Sequence, residues 1–275
     1  MPDTDRWLAL QGTANTRDLG GLPLVGGGAT VPGRVLRSDD LQELTEQDVH
    51  LLVDELGVTD VVDLRTSAEV RMEGRGPLRG LPGVRHRHFT LIPEAGEHTD
   101  VFAAEDPQAD VDLPSDWVET LLPRAVAAGD EDETPAVKSY LGYLSDGAEN
   151  VVGALRAVAA APGAAVVHCA AGKDRTGVVC ALAQSVAGVE REAVVEDYAL
   201  TAERIQGVVD KLSARSTYAQ DMARRDVASH TPRAETMRRV LDLLDERDGG
   251  PLGWLTAHGF GPEEQAALRD RLTRP

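Results

Sequence analysis

The 275-residue sequence predicts an α/β fold, with a mostly parallel central sheet flanked by helices. Two observations lead there. Val58-Thr59-Asp60-Val61-Val62-Asp63-Leu64 and Ala164-Ala165-Val166-Val167 are short apolar runs with the length of buried strands. Around them lie longer stretches with apolar residues at helical spacing. Strands that alternate with helices join in parallel.

In chain order, Leu19-Gly20-Gly21-Leu22-Pro23 and Gly26-Gly27-Gly28 read as turns. Arg34 to Arg37 is a short strand. Thr45-Glu46-Gln47-Asp48 opens a helix as a capping box, Val49, Leu52, Val53 and Leu56 form its apolar stripe, and Gly57 ends it. Val58 to Arg65 is a buried strand running into a polar turn. Gly83 to Leu91 is a further strand with His86 and His88 on one face; no third ligand at metal spacing accompanies them. From Glu94 to Glu133 the chain carries thirteen Asp or Glu and a single basic residue, Arg124. That excursion, about 94–134, is expected to cross the functional edge of the sheet, as a solvated acidic loop or as a gate. Helices follow over Pro135 to Leu144 and Ala148 to Ala161, then the second strand and a helix from Arg175 to Gly188. Helical character continues over Glu190 to Leu200 and Thr201 to Ala214. Ser216 to His230, poor in apolar residues, reads as mobile. Ala234 to Leu244, Pro251 to His258 and Pro262 to Leu272 are the last helices. One domain, 1–275, accommodates all of this.

The functional stretch is His168-Cys169-Ala170-Ala171-Gly172-Lys173-Asp174-Arg175-Thr176-Gly177, between a strand and a helix start. Such a junction aims backbone N–H groups and a helix N-terminus at one point, which makes an anion site. Positive dipoles and a nearby Arg favour the thiolate of Cys169. Five residues separate Cys169 from Arg175, enough for one loop to curl around a tetrahedral anion. The sulfur then lies beneath the anion, the amides of Ala170 to Arg175 around it, and the Arg175 fork at the rim. Gly172 permits the turn. Thr176 is placed to bond the sulfur or to cap the helix. Cys180, inside the helix, reads as core. His168 either tunes the thiolate or is a satisfied core residue.

This loop resembles the HCxxxxxR[ST] signature of cysteine-dependent phosphatases. Its Ala-Gly-Lys-Asp-Arg-Thr-Gly ending resembles the bacterial tyrosine and phosphoinositide phosphatases of the mycobacterial protein tyrosine phosphatase B type. Asn15-Thr16-Arg17-Asp18-Leu19-Gly20-Gly21 resembles that family's N-[FY]-R-D-L-G-G, with Thr16 in place of the aromatic. Arg34-Val35-Leu36-Arg37-Ser38-Asp39-Asp40-Leu41 resembles its R-[LV]-[FY]-R-S-x-x-L. The resemblance implies a tyrosine-phosphatase-like fold and a helical lid within about 201–248. It implies a phosphomonoesterase acting on phosphotyrosine, with phosphoserine, phosphothreonine and phosphoinositides as further substrates, through a phosphocysteine intermediate. No metal or cofactor is required.

The proton donor is less plainly marked. Asp174 stands inside the loop beside Arg175, and an Asp at this position is thought to serve as acid in some lipid phosphatases. The resembled family places an acid after its second strand; Leu91-Ile92-Pro93-Glu94 here lacks that Asp, leaving Glu94. Asp63, at a strand end, is the third candidate, or pairs with Arg65 to tie down a turn. Lys173 is one of only three lysines and is expected to widen the positive pocket.

A net charge of −18 opposes non-specific binding to nucleic acid or anionic membranes. Two cysteines argue against a disulfide framework, and no apolar stretch is long enough to span a bilayer. A cytoplasmic place is expected, with export by a non-classical route left open; the sequence does not set the oligomeric state. A silent phosphoresidue-binding module is the alternative function, opposed by the intact Cys169 and Arg175. Lys173-Asp174-Arg175 points away from sulfurtransferases and arsenate reductases. A P-loop NTPase fails, because Asp174 follows Lys173 where Ser or Thr is required.

Overall fold

A computed structural model of the chain describes residues 6–92, 132–223 and 226–274. Its centre is a five-stranded sheet in the order β1-β2-β5-β3-β4. The strands are β1 (Arg17–Asp18), β2 (Val35–Ser38), β3 (Val58–Asp63), β4 (Arg85–His88) and β5 (Ala164–His168). All neighbours run parallel except β1, which pairs antiparallel with β2. The middle strand β5 is made late and inserted between β2 and β3. Ser38, His168 and Asp63 share one register, so three strands end level at the sheet's carboxyl edge.

Alternation along β5 explains the two cores. Ala164 and Val166 face a smaller cluster with Leu36, Leu52 and Leu78, whereas Ala165, Val167 and Cys169 face the larger one. Val58 and Val61 of β3, an odd number apart, share the smaller cluster because the register slips between Val58 and Asp60. Helix α1 (Glu46–His50) begins with the expected capping box, Thr45 with Asp48, and continues as a π-helical turn over Leu51–Glu55. Helix α2 (Ser67–Glu73) opens with a second box, Thr66 with Glu69. The larger core is covered by α3 (Pro135–Asp146), α4 (Ala148–Ala159), α5 (Asp174–Ala187) and α6 (Arg191–Ala199). The closing helices α10 (Ala234–Asp248), α11 (Pro251–Ala257) and α12 (Pro262–Thr273) bury Leu241, Trp254 and Leu268 in the same core.

Between α6 and α10 lie a 3-10 turn (Leu200–Arg204) and, among the described residues, three α-helices: α7 (Ile205–Ser213), α8 (Ser216–Ala223) and the short α9 (Val227–His230). Most of Ser216 to His230, the span read from its composition as mobile, is helical. Tyr218 and Leu212 join Ala170 of the loop in a third apolar cluster, and the Thr217 hydroxyl bonds Glu73. The acidic excursion, apart from its last three residues, lies outside the described residues, as does Glu94.

Candidate active site

The site forms where β5 stops at His168 and α5 starts at Asp174. Cys169 follows the strand directly, is 2% exposed, and is a free thiol. Three successive loop carbonyls are turned outward and tied. Asp40 N–H donates to Ala170 O (3.0 Å), Asn15 Nδ2 to Ala171 O (3.0 Å) and Gly172 O (3.2 Å), and Arg37 Nη2 to Gly172 O (2.9 Å). A trans peptide holds its N–H opposite its C=O. The amides of Ala171, Gly172 and Lys173 therefore face the inside of the loop. Gly172 turns with φ +63°, and a Cβ there would stand 2.5 Å from both Asp39 N and Ser38 O. Only glycine fits that approach.

Arg175, in the first turn of α5, does not point its fork freely at the rim as the spacing suggested. The Nη1–Nη2 edge is held by Glu69 of α2, at 2.5 Å and 2.8 Å, and Nη1 also reaches Leu64 O at 3.4 Å. Among the described residues nothing accepts from Nε, so the Nε–Nη2 edge remains for an anion. Burial opposes the Arg175 charge, but Glu69 and, next among charges, Cys169 more than offset it, and the pKa lies well above its ordinary value. Burial likewise pushes the Glu69 carboxyl up, while Arg175 pulls it down further, to about 2. Glu69 also accepts from Thr66 N–H (2.7 Å) and from the Tyr218 hydroxyl (2.8 Å). Sequence reasoning missed Glu69. Its signal was the Thr66-x-x-Glu69 capping box immediately after β3, which reads as a helix start and says nothing of Arg175.

Asp174 is partly exposed; its Oδ1 accepts from the Tyr140 hydroxyl (2.6 Å) and Oδ2 lies 3.5 Å from Lys173 Nζ. Tyr140 is also 2.7 Å from the Tyr198 hydroxyl, and burial, then Asp174, hold its own pKa well above the ordinary value. Lys173 Nζ donates to His230 O at 2.9 Å. These residues line a cleft of about 710 Å³, whose opposite wall is Ile205, Val208, Val209 and Leu212 of α7.

Asp63 takes the structural place of the two that were open. Arg65 grips it through Nε (2.9 Å) and Nη2 (2.6 Å), and its carboxyl sits far below the usual range because Arg65, then His168, outweigh burial. It has no proton to lend near neutrality. His168 Nδ1 donates to Cys169 O (3.3 Å), its Nε2 is 3.6 Å from Asp63, and burial pushes its pKa down to about 4. The Thr176 hydroxyl is buried and makes neither expected bond, to sulfur or to a helix cap. Cys180 is core, its thiol pushed up to about 11 by burial. His88 Nε2 bonds Arg65 O at 2.7 Å.

A strand, a turn with inward amides and a helix that returns an arginine define a phosphatase loop. A family model described as "Tyrosine phosphatase family" matches residues 8–274, and the chain belongs to that family of hydrolases. It is 29% identical over 264 residues to the "Triple specificity protein phosphatase PtpB" of Mycobacterium tuberculosis (strain ATCC 25618 / H37Rv), covering 88% of this chain and 91% of that one. It is also 32% identical over 122 residues to a "Tyrosine-protein phosphatase" of Nostoc commune, covering 42% of each chain.

Proposed function

We propose that the protein hydrolyses phosphotyrosine, and also phosphoserine, phosphothreonine and phosphoinositides, through a phosphocysteine formed on Cys169. The observation that carries this is the run of inward amides from Ala171 to Lys173, flanked in the chain by Cys169 and Arg175. In the first step Cys169 Sγ bonds phosphorus, the ester P–O bond breaks, and the leaving oxygen takes a proton from Asp174. In the second, water attacks the phosphocysteine, Asp174 takes its proton back, and phosphate leaves. The amides of Ala170 to Thr176 and the Nε–Nη2 edge of Arg175 neutralise the equatorial oxygens. Lys173 adds positive charge, and Tyr140 fixes the Asp174 carboxyl. Asp174 is the acid we favour because it borders both Arg175 and the cleft; Asp63 is committed to Arg65.

We read 1–275 as one domain with α7 to α9 as its lid, since Leu212 of α7 and Tyr218 of α8 pack on Ala170 of the loop and Val227 of α9 lies against the same cluster. Two free thiols suit a reducing, cytoplasmic compartment. No helix among the described residues is long and apolar enough to cross a membrane.

The test is hydrolysis of para-nitrophenyl phosphate and a phosphotyrosyl peptide, with EDTA and reductant present. Cys169→Ser is expected to abolish both. Asp174→Asn is expected to slow the peptide about 100-fold, the size of a general-acid contribution, and the activated nitrophenyl ester less. Activity that survives Cys169→Ser would place the nucleophile elsewhere. An inactive parent that still binds phosphopeptide would make it a binding module.

A further inference from the structure

The two N-terminal motifs have so far no part in the chemistry, yet both end behind the loop. Asn15 and Arg37 are the residues that hold the carbonyls of Ala171 and Gly172 outward. Both are fully buried, and neither stands alone. Arg37 Nη1 donates to Asp197 Oδ2 of α6 at 2.8 Å. Arg17 donates to Asp197 Oδ1 (3.2 Å) and to the Asp197 carbonyl (2.5 Å). Its Nη1 donates to Asn15 Oδ1 at 2.7 Å, and Thr201 donates to the same oxygen at 3.2 Å. Two donors on Oδ1 leave Asn15 Nδ2 facing the loop, which fixes the amide the way the loop needs it. Arg6 and Gln184 add donors at 2.8 Å and 3.0 Å to the Asp197 carboxylate.

We propose that Asp197 is a positioning residue for the phosphate loop: through Arg37, and through Arg17 and Asn15, it keeps the Ala171 and Gly172 carbonyls out and their partner amides in. The inference rests on the loop being the oxyanion site. A loop of this kind has a choice. Its amides repel one another when they converge on an empty centre, and each peptide would relax by rotating its carbonyl inward. The outward ties remove that option before any anion arrives, so the site is organised in advance. Asp197 keeps its charge throughout, because Arg17 and Arg37 hold its carboxyl far below the usual range against the effect of burial.

Position and charge make opposite predictions at Asp197, and that separates them. Asp197→Asn removes a negative charge from behind an anion site. If Asp197 acted only through its field, oxyanions would bind tighter. If it positions the loop, they bind more weakly, because a neutral amide in its place cannot hold both arginines. Binding of tungstate is measured by titration calorimetry on the parent, Asp197→Asn and Arg37→Lys, alongside kcat and KM on para-nitrophenyl phosphate. We expect the tungstate Kd to rise tenfold or more in both variants and KM to rise with it. Arg37→Lys keeps the charge but cannot reach Asp197 and Gly172 O together; it decides the matter alone if Asp197→Asn fails to fold. Tighter or unchanged tungstate binding in folded Asp197→Asn, or parental affinity in Arg37→Lys, overturns the proposal. The parent and Cys169→Ser report separately on the phosphatase reading: a parent that binds tungstate and loses activity only with Cys169 upholds that reading whatever the Asp197 result.

Discussion

Glu69 shows how a single carboxylate can govern a site without touching substrate. It takes the Nη1–Nη2 edge of Arg175 and so leaves only the Nε–Nη2 edge open to an anion. Glu69→Ala leaves a buried guanidinium without its partner, a change that costs about 3–5 kcal/mol. Urea unfolding should register that loss, and kcat/KM on para-nitrophenyl phosphate should fall with it; a variant as stable and active as the parent would show the pair to be idle. His168 makes a different statement, about pH. Its folded pKa is pushed from 6.5 to about 4 by burial, so between those values the unfolded chain binds a proton that the folded one refuses. Stability is therefore complete above 6.5 and declines as pH falls toward 4, by up to about 3 kcal/mol from this residue. Denaturant midpoints across that range check it, and a flat profile would mean His168 is reached by solvent.

Among elements, the strand–loop–helix was legible in the sequence because spacing alone demands it. Cys169, Gly172 and Arg175 stand at fixed intervals on a loop whose ends are set by β5 and α5. Glu69 and Asp197 were not legible, because each meets the loop across more than a hundred residues or from another helix, and neither sits in a motif that announces its target. Ser216 to His230 was read as mobile for a related reason. Its polar contacts are single groups, Tyr218 to Glu69 and Thr217 to Glu73, and its apolar ones, Tyr218, Met222 and Val227, are too few to form a stripe. The loop itself predicts the outcome of adding one methyl group. Gly172→Ala places a Cβ 2.5 Å from the backbone of Ser38 and Asp39 and forces a left-handed φ on alanine. The strand end at β2 has no room to retreat, so the loop must. We expect activity to fall by at least tenfold with the melting temperature lowered only a few degrees; equal loss of both would mean that the whole edge had shifted.

At the scale of the molecule, charge and site oppose each other. A body of net charge −18 receives an anionic substrate at a small positive spot. Acidic phosphopeptides are repelled on approach, and salt screens that repulsion. Raising NaCl from about 20 to about 200 mM should increase kcat/KM for an acidic phosphopeptide several-fold, and move a peptide with basic flanks the other way. Identical salt profiles would show that the site's own field dominates. The strand order carries one more consequence, for how the protein is born. β2 and β3 are finished by residue 63 but never pair with each other, and β5 at 164–168 fills the slot between them. On the ribosome the early strands must wait, unjoined, while a hundred residues are added. The strand that closes the sheet is also the one that delivers Cys169 to its edge. A chain halted before that point has neither the joined sheet nor the Cys169 thiol at its edge.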